Sequence, residues 1–373
     1  MSMENLCANL RRLMKKNALS IPKLEEKSGV SRATISNILN GKADPSYSTL
    51  EKISLALGVT LDVLHASRPC LKSLRFRTNK DTSAREKAAK ETLIYTIYDN
   101  LNIYKQVEKY APKSTLPNFS KFPKNPVEAA RKLRKTLSIQ PDIPITNFCG
   151  HLSALGIKQF FFNFGLSKTF GVSVNKDDGG PAIFVNIGTA NVERWIFTMF
   201  HELGHIILQP ESYDGQIQTE EKHSKEENDA DIFAAEFLLP VDTVRERVKG
   251  TKNYSFINKV LELKKEFSVS YGAVLKQYCR AYSRDPSDVI PKFQRMYGAQ
   301  IHHDFKNHYE PNALSKDRFI FEDPNFRTCI FEALKNDDME FEIAAELLRE
   351  NVNLVKEEFD RYIESYVEVG LPF

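Results

Sequence analysis

His201-Glu202-Leu203-Gly204-His205 places two imidazoles four residues apart with a carboxylate between them. This is the H-E-x-x-H spacing of a zinc hydrolase. On a helix, residues four apart lie on one face, so His201 and His205 can grip one ion. Glu202 can reach a water on that ion as general base. Bound zinc lowers the pKa of such a water to about 7 and supplies a nucleophile for amide cleavage at neutral pH.

The flanking residues supply the helix. Val192, Trp195, Ile196, Met199, Leu203, Ile206 and Ile207 recur at helical spacing. At about 100° per residue they form one apolar stripe, with both histidines on the other side. Gly204 leaves room there for another backbone or for substrate.

A catalytic zinc takes three protein ligands, so a second element must contribute one. From Glu226 to Pro240 the chain again reads as a helix, and Glu227, Ala230, Asp231, Ala234 and Leu238 share a face. Its two alanines allow close approach to the first helix. Glu227 is the expected third ligand, with Glu226 and Asp229 as alternatives. Asp231, one turn on, is expected to accept the outer N–H of a ligating histidine and so fix its tautomer. Tyr213, His223 and Tyr271 are candidates for the group that stabilises the oxyanion.

These motifs resemble those of the ImmA/IrrE-type zinc metallopeptidases. Phe197 to Leu208 is similar to the family's zinc helix, and Glu227 to Pro240 to its third-ligand helix. Phe170-Gly171-Val172-Ser173 and Pro181 to Ile187 are similar to the loop and strand before the site, and Phe267-Ser268-Val269-Ser270 to a short motif after it. Asp231 stands where many members carry Asn. The resemblance spans roughly Glu128 to Ala281. It implies a zincin-like fold, one Zn2+ per chain, and a regulatory protein as substrate, typically a DNA-bound repressor. Ile183, Val185 and Ile187 alternate with Phe184 and Asn186, the period of a half-buried strand. Such a strand at the cleft rim could pair with an extended substrate.

The first 66 residues punctuate as short helices. Ser20 can cap a helix over Pro22 to Lys27, Gly29 turns the chain, and Ser31 can cap Arg32 to Leu39. Asn40-Gly41 stops that helix; another follows from Leu50 to Leu57, ended by Gly58. Helix, glycine turn, helix is the helix-turn-helix layout, whose second helix enters the major groove of double-stranded DNA. Arg32, Ala33, Thr34, Ser36 and Asn37 are the groove-facing candidates, since Arg can fork onto guanine and Asn onto adenine. Leu24 to Ser36 and Leu50 to Val59 resemble the lambda-repressor-like (XRE) family. A homodimer is expected because such proteins usually read two half-sites.

The chain has 373 residues, 42% of them hydrophobic, and a formal charge of +3 from 52 basic and 49 acidic side chains. Near-neutral charge gives no general drive towards nucleic acid. A local basic run (Arg68, Lys72, Arg75, Arg77, Lys80, Arg85, Lys87, Lys90) follows the first helices and reads as a solvated linker able to track phosphates. Five scattered cysteines in no metal-binding spacing read as reduced thiols of a cytoplasmic protein. A membrane span and a secretory leader are not expected. His302-His303 reads as a surface pair.

The expected fold class is multidomain and mainly α. Residues 1–66 form an all-α helix-turn-helix bundle and 67–126 a basic helical linker region. Residues 127–284 form an α+β zincin-like metallopeptidase domain, and 285–373 a helical or mixed C-terminal region without visible chemistry. The expected function is a zinc endopeptidase that regulates transcription. The alternative is a regulator or antitoxin-like binding protein whose zinc domain senses or scaffolds without turnover.

Overall fold

A computed structural model describes residues 3–65, 71, 74–75, 84–110, 117–188, 191–213, 220–250, 253–301 and 310–369. Arg68, Lys72, Arg77 and Lys80 of the basic run, and His302-His303, lie outside the described residues. The chain divides into two compact units, Met1–Cys70 and Leu71–Phe373.

The first unit is helical: α1 (Met3–Lys16), α2 (Ile21–Ser28), α3 (Arg32–Leu39), α4 (Tyr47–Leu57) and α5 (Leu61–His65). Ser20 accepts from the backbone N–H of Lys23 and Ser31 from that of Thr34, so both expected caps form. Gly29 turns the chain at φ 67°, in the left-handed region that glycine enters without strain. The next helix begins at Tyr47 rather than near Leu50, because Ser46 caps it through the N–H of Thr49. Leu24, Ile35, Ile38, Ile53 and Leu64 are fully buried at the centre.

The second unit is built on a four-stranded sheet in the order β1-β3-β4-β2. Its parts run β1 (Leu74–Arg75), α6 (Ala84–Val107), α7 (Pro126–Thr136), α8 (Phe148–Ala154), β2 (Lys158–Phe162), β3 (Gly171–Val174) and β4 (Ala182–Asn186). The β3 pairings to β1 and β4 are antiparallel, and β2 runs parallel to β4. Successive side chains of a strand point to opposite faces. Ala182 and Phe184 of β4 accordingly pack with Leu93, Ile97 and Leu101 of α6. Ile183 and Val185 join the cluster of the other face.

Two expectations change here. The strand over residues 182–186 is not half-buried: every residue of β4 is buried, since helices cover both faces. Nor does it form a rim, because β3 and β2 occupy both of its edges, so it has no free backbone for a substrate. The covering helix α6 lies in the segment read from sequence as a basic helical linker: the helix forms, but it packs on the sheet. Its charged first turns conceal the apolar series Leu93, Ile97 and Leu101, which recurs every four residues.

Beyond the sheet come α9 (Val192–Leu208), α10 (Glu220–Leu238), α11 (Val241–Val248), α12 (Asn253–Phe267), α13 (Tyr271–Tyr282) and α14 (Pro286–Ile301). The core face of α9 meets Ile183 and Val185 through Ile196, Met199 and Leu203. Three last helices, α15 (Pro324–Lys335), α16 (Phe341–Leu348) and α17 (Val352–Val369), form a smaller core around Ile330, Phe331, Ala344 and Val355. Helices α16 and α17 are separated at Arg349, whose φ of 59° ends α16. Asp323 ties this group to the edge strand, accepting from the Gln159 N–H at 3.0 Å and the Ser153 hydroxyl at 3.1 Å. No helix among the described residues is long and apolar enough to cross a membrane.

Candidate metal centre

Asn191 caps α9 by accepting from the Arg194 N–H, and the helix then runs buried almost throughout. Only Arg194, Phe197 and His201 keep appreciable exposure along it. These positions fall at i, i+3 and i+7, a single line that becomes the floor of a cleft. The cleft encloses about 280 Å³ and is also lined by Lys168, Thr169, Phe170 and Gly171.

Helix α10 crosses behind α9 at Gly204. A Cβ there would lie 3.1 Å from Cδ1 of Phe233 and 3.2 Å from Cα of Ala230. The missing side chain thus admits the α10 backbone rather than substrate, and Ala230 and Ala234 are fully buried in the contact. This approach carries Glu227 to the histidines. His201 and His205 Nε2 atoms are 3.1 Å apart. Glu227 places Oε2 3.5 Å from His201 Nε2 and Oε1 3.3 Å from His205 Nε2. Among the described residues these three form a group able to hold a metal ion.

The group fits zinc. Tetrahedral zinc with bonds of about 2.0–2.1 Å sets neighbouring donor atoms about 3.3 Å apart, matching the spacing of these three. Both imidazoles also turn the other ring nitrogen outward to an acceptor. His201 Nδ1 is 2.9 Å from Asp231 Oδ1, and His205 Nδ1 is 2.6 Å from Gln209 Oε1. Each outward N–H leaves the Nε2 lone pair facing its neighbours. The acidic neighbours favour positive charge at this point. Burial acts against the charged form of His201, yet Asp231 and Glu227 raise its pKa to about 9. Burial likewise acts to raise the Glu227 carboxyl, but hydrogen bonds from His201 and His205 hold it well below the usual carboxylate range.

Glu202 is buried beside this group. Its Oε2 accepts from the Ser173 hydroxyl at 2.6 Å, while Gly171 of β3 passes so close that a Cβ would sit 2.8 Å from Oε1. The alternative ligands do not converge. Glu226 accepts from the Ser212 hydroxyl at 2.7 Å, and Asp229 is not part of the group. None of the three oxyanion candidates lines the cleft. Tyr213 donates to Ser173, and Tyr271 accepts from Gln294 at 2.8 Å. The sequence reading missed Gln209, although it continues the four-residue series of His201 and His205. It also missed the cationic lining of Lys168 and Arg194, whose guanidinium stacks 4.2 Å from the Phe170 ring.

Residues 152–277, which contain the whole site, match the family described as the IrrE N-terminal-like domain. Residues 10–64 match a helix-turn-helix family. The chain carries an IrrE N-terminal-like domain and, before it, a helix-turn-helix domain. No curated protein matches it. The IrrE-like domain is of metallopeptidase type, and its possible metal site is the His201, His205 and Glu227 group.

The helix-turn-helix domain presents α3 to solvent through Arg32, Ala33 and Asn37, with Thr34 and Ser36 half-buried. Two of these groups are engaged within the domain. Arg32 pairs with Glu25 of α2, and the Thr34 hydroxyl lies 2.9 Å from that of Ser31.

Proposed function

We propose that this chain is a zinc-dependent endopeptidase tethered to a DNA-binding domain, and that it cleaves a repressor or another regulatory protein. The observation that carries the reading is the convergence of His201, His205 and Glu227 with a fourth group, Glu202, beside them. A site that only held its metal for structure would not need that buried carboxylate.

When bound, zinc polarises the scissile carbonyl and activates a water. His201, His205 and Glu227 would hold the ion. Asp231 and Gln209 orient the imidazoles, and the Glu202 carboxylate takes the proton of the attacking water and delivers it to the leaving amine. Lys168, Arg194 and Phe197 line the path of the peptide. Arg32, Ala33, Thr34, Ser36 and Asn37 face the major groove. Tethering to double-stranded DNA raises the effective concentration of a target bound nearby. The same reading makes the protein cytoplasmic and dimeric on its operator, with domains at residues 1–66, 127–284 and 285–373 and a basic helical segment at 67–126 between the first two.

Metal analysis of the purified chain tests the site. The wild type is expected to hold about one zinc. Glu227→Gln is expected to lose most of it. Glu202→Gln should keep the zinc and lose cleavage of a partner repressor; full cleavage by that variant would refute the mechanism.

A further inference from the structure

Strand β3 does more than pass beneath α9. Val172 and Val174 point to the α6 side, so Gly171 and Ser173 share the face towards α9. Both touch Glu202. Ser173, fully buried, donates to Glu202 Oε2 at 2.6 Å. Tyr213, buried after α9 ends, donates its hydroxyl to Ser173 Oγ at 2.8 Å. At Gly171 a Cβ would fall 2.4 Å from Thr198 Cγ2 and 2.9 Å from Glu202 Cγ, so only glycine leaves the carboxylate its place.

We propose that Tyr213 and Ser173 form a hydroxyl relay that positions Glu202 for its work at the metal. The inference rests on the reading of Glu202 as general base. A glutamate has three side-chain torsions to order, and the entropy of that ordering opposes its placement. A hydroxyl carries one proton. Because the Tyr213 proton occupies a lone pair of Ser173 Oγ, the serine proton is directed to Glu202. That bond engages Oε2 and leaves Oε1, beside Gly171 at the cleft, to accept the proton of the attacking water. Ser173 and Tyr213 are positioning residues, since neither lines the cleft. Tyr213 therefore acts through the base rather than on an oxyanion.

The test needs no known substrate. Acetohydroxamic acid gives up its hydroxyl proton to a nearby base when it chelates zinc as acetohydroxamate, so its affinity reads a base held beside the metal. Zinc content and acetohydroxamate affinity are measured on the full chain for the wild type, Glu202→Gln, Ser173→Ala, Ser173→Thr and Tyr213→Phe. Wild type without zinc overturns the metal reading itself, before the probe is added. Zinc-loaded wild type and Glu202→Gln binding the probe equally overturns the role of Glu202, and the relay with it. If both controls behave, Ser173→Ala is expected to keep full zinc and bind the probe about tenfold more weakly, the fold-change that corresponds to re-ordering the freed Glu202 side chain. Tyr213→Phe, which preserves the core volume, should fall between it and the wild type, and Ser173→Thr should recover much of the loss. Wild-type affinity in both Ser173→Ala and Tyr213→Phe overturns the relay. So does loss of zinc in a folded Ser173→Ala, which would make Ser173 a support of the metal site instead.

Discussion

Gln209 holds its Oε1 2.6 Å from Nδ1 of His205, while its Nε2 donates to the backbone carbonyl of Glu226 at 3.1 Å. The second bond decides the first. A carbonyl can only accept, so the amide nitrogen must face Glu226 and the amide oxygen must face the imidazole. His205 is therefore protonated on Nδ1, and its Nε2 is free to ligate. The same glutamine joins the end of α9 to the first turns of α10, the helix that brings Glu227.

Gln209→Leu should then lower zinc affinity by about 10–100-fold, the usual cost of losing an outer partner of a ligating histidine. Competition with a chromophoric chelator measures it. Asp231→Asn should cost less, because an amide oxygen still accepts from His201 and this side chain is about half exposed. Equal zinc retention by wild type and Gln209→Leu would show that His205 needs no outside help.

The local parts of this site are legible in the sequence and the non-local parts are not. His201, Glu202, His205 and Glu227 stand out because helical spacing alone places them, and the alanines at 230 and 234 mark the face that must come close. Gln209 lies on the same spacing but carries no chemical signature of its own. The contact of Ser173 with Glu202 joins residues far apart in the chain, and only the pairing of β3 with β4 brings them together. Strand β4 shows why burial is hard to read from short runs. Five residues with apolar alternation suit a half-buried edge as well as an interior strand, and what decides is α6, whose apolar series is diluted by charge.

Gly204 sets the distance between the two ligand-bearing helices. Gly204→Val should cost about 1–3 kcal/mol, typical of overpacking a filled contact. Backbone at Ala230 cannot yield as a flexible side chain would. Separation of α10 from α9 also withdraws Glu227, so zinc affinity should fall together with the denaturation midpoint. A variant that lost stability but kept zinc affinity would mean that α10 rotates about Ala230 and keeps its carboxylate in place.

On the helix-turn-helix domain, the five candidates on α3 are expected to differ. Asn37 is exposed, and its side chain makes no hydrogen bond among the described residues, whereas Arg32 is held by Glu25. Asn37→Ala should weaken binding to a duplex selected by the wild-type chain from a random pool by about 1–3 kcal/mol, and relax the preference at one base pair. Glu25→Gln should strengthen non-specific binding by releasing Arg32 towards phosphate, with a steeper salt dependence. A uniform loss across all sequences in Asn37→Ala would assign that residue to the backbone of the DNA instead.

Glu310 gives the protein a pH dependence of calculable sign. Its carboxylate is nearly buried, accepting from the Tyr271 N–H at 2.9 Å and lying 3.5 Å from the Lys264 ammonium, which also binds the buried Glu193. Burial raises the Glu310 pKa from 4.5 to about 7; Tyr271 and Lys264 oppose the rise and the charge of Glu193 adds to it. The folded chain therefore holds this proton more tightly than the unfolded chain. That contribution to stability is complete below about pH 4.5 and is lost as pH rises through 7, a change of at most about 3 kcal/mol. Glu310→Gln removes the titration. Between pH 5 and 8 its denaturation midpoint in urea should fall less than that of the wild type, and the variant should be the more stable of the two at pH 8. Comparing the two proteins cancels every other titrating group, the metal-site histidines included. Parallel curves would mean that Lys264 compensates the Glu310 charge fully.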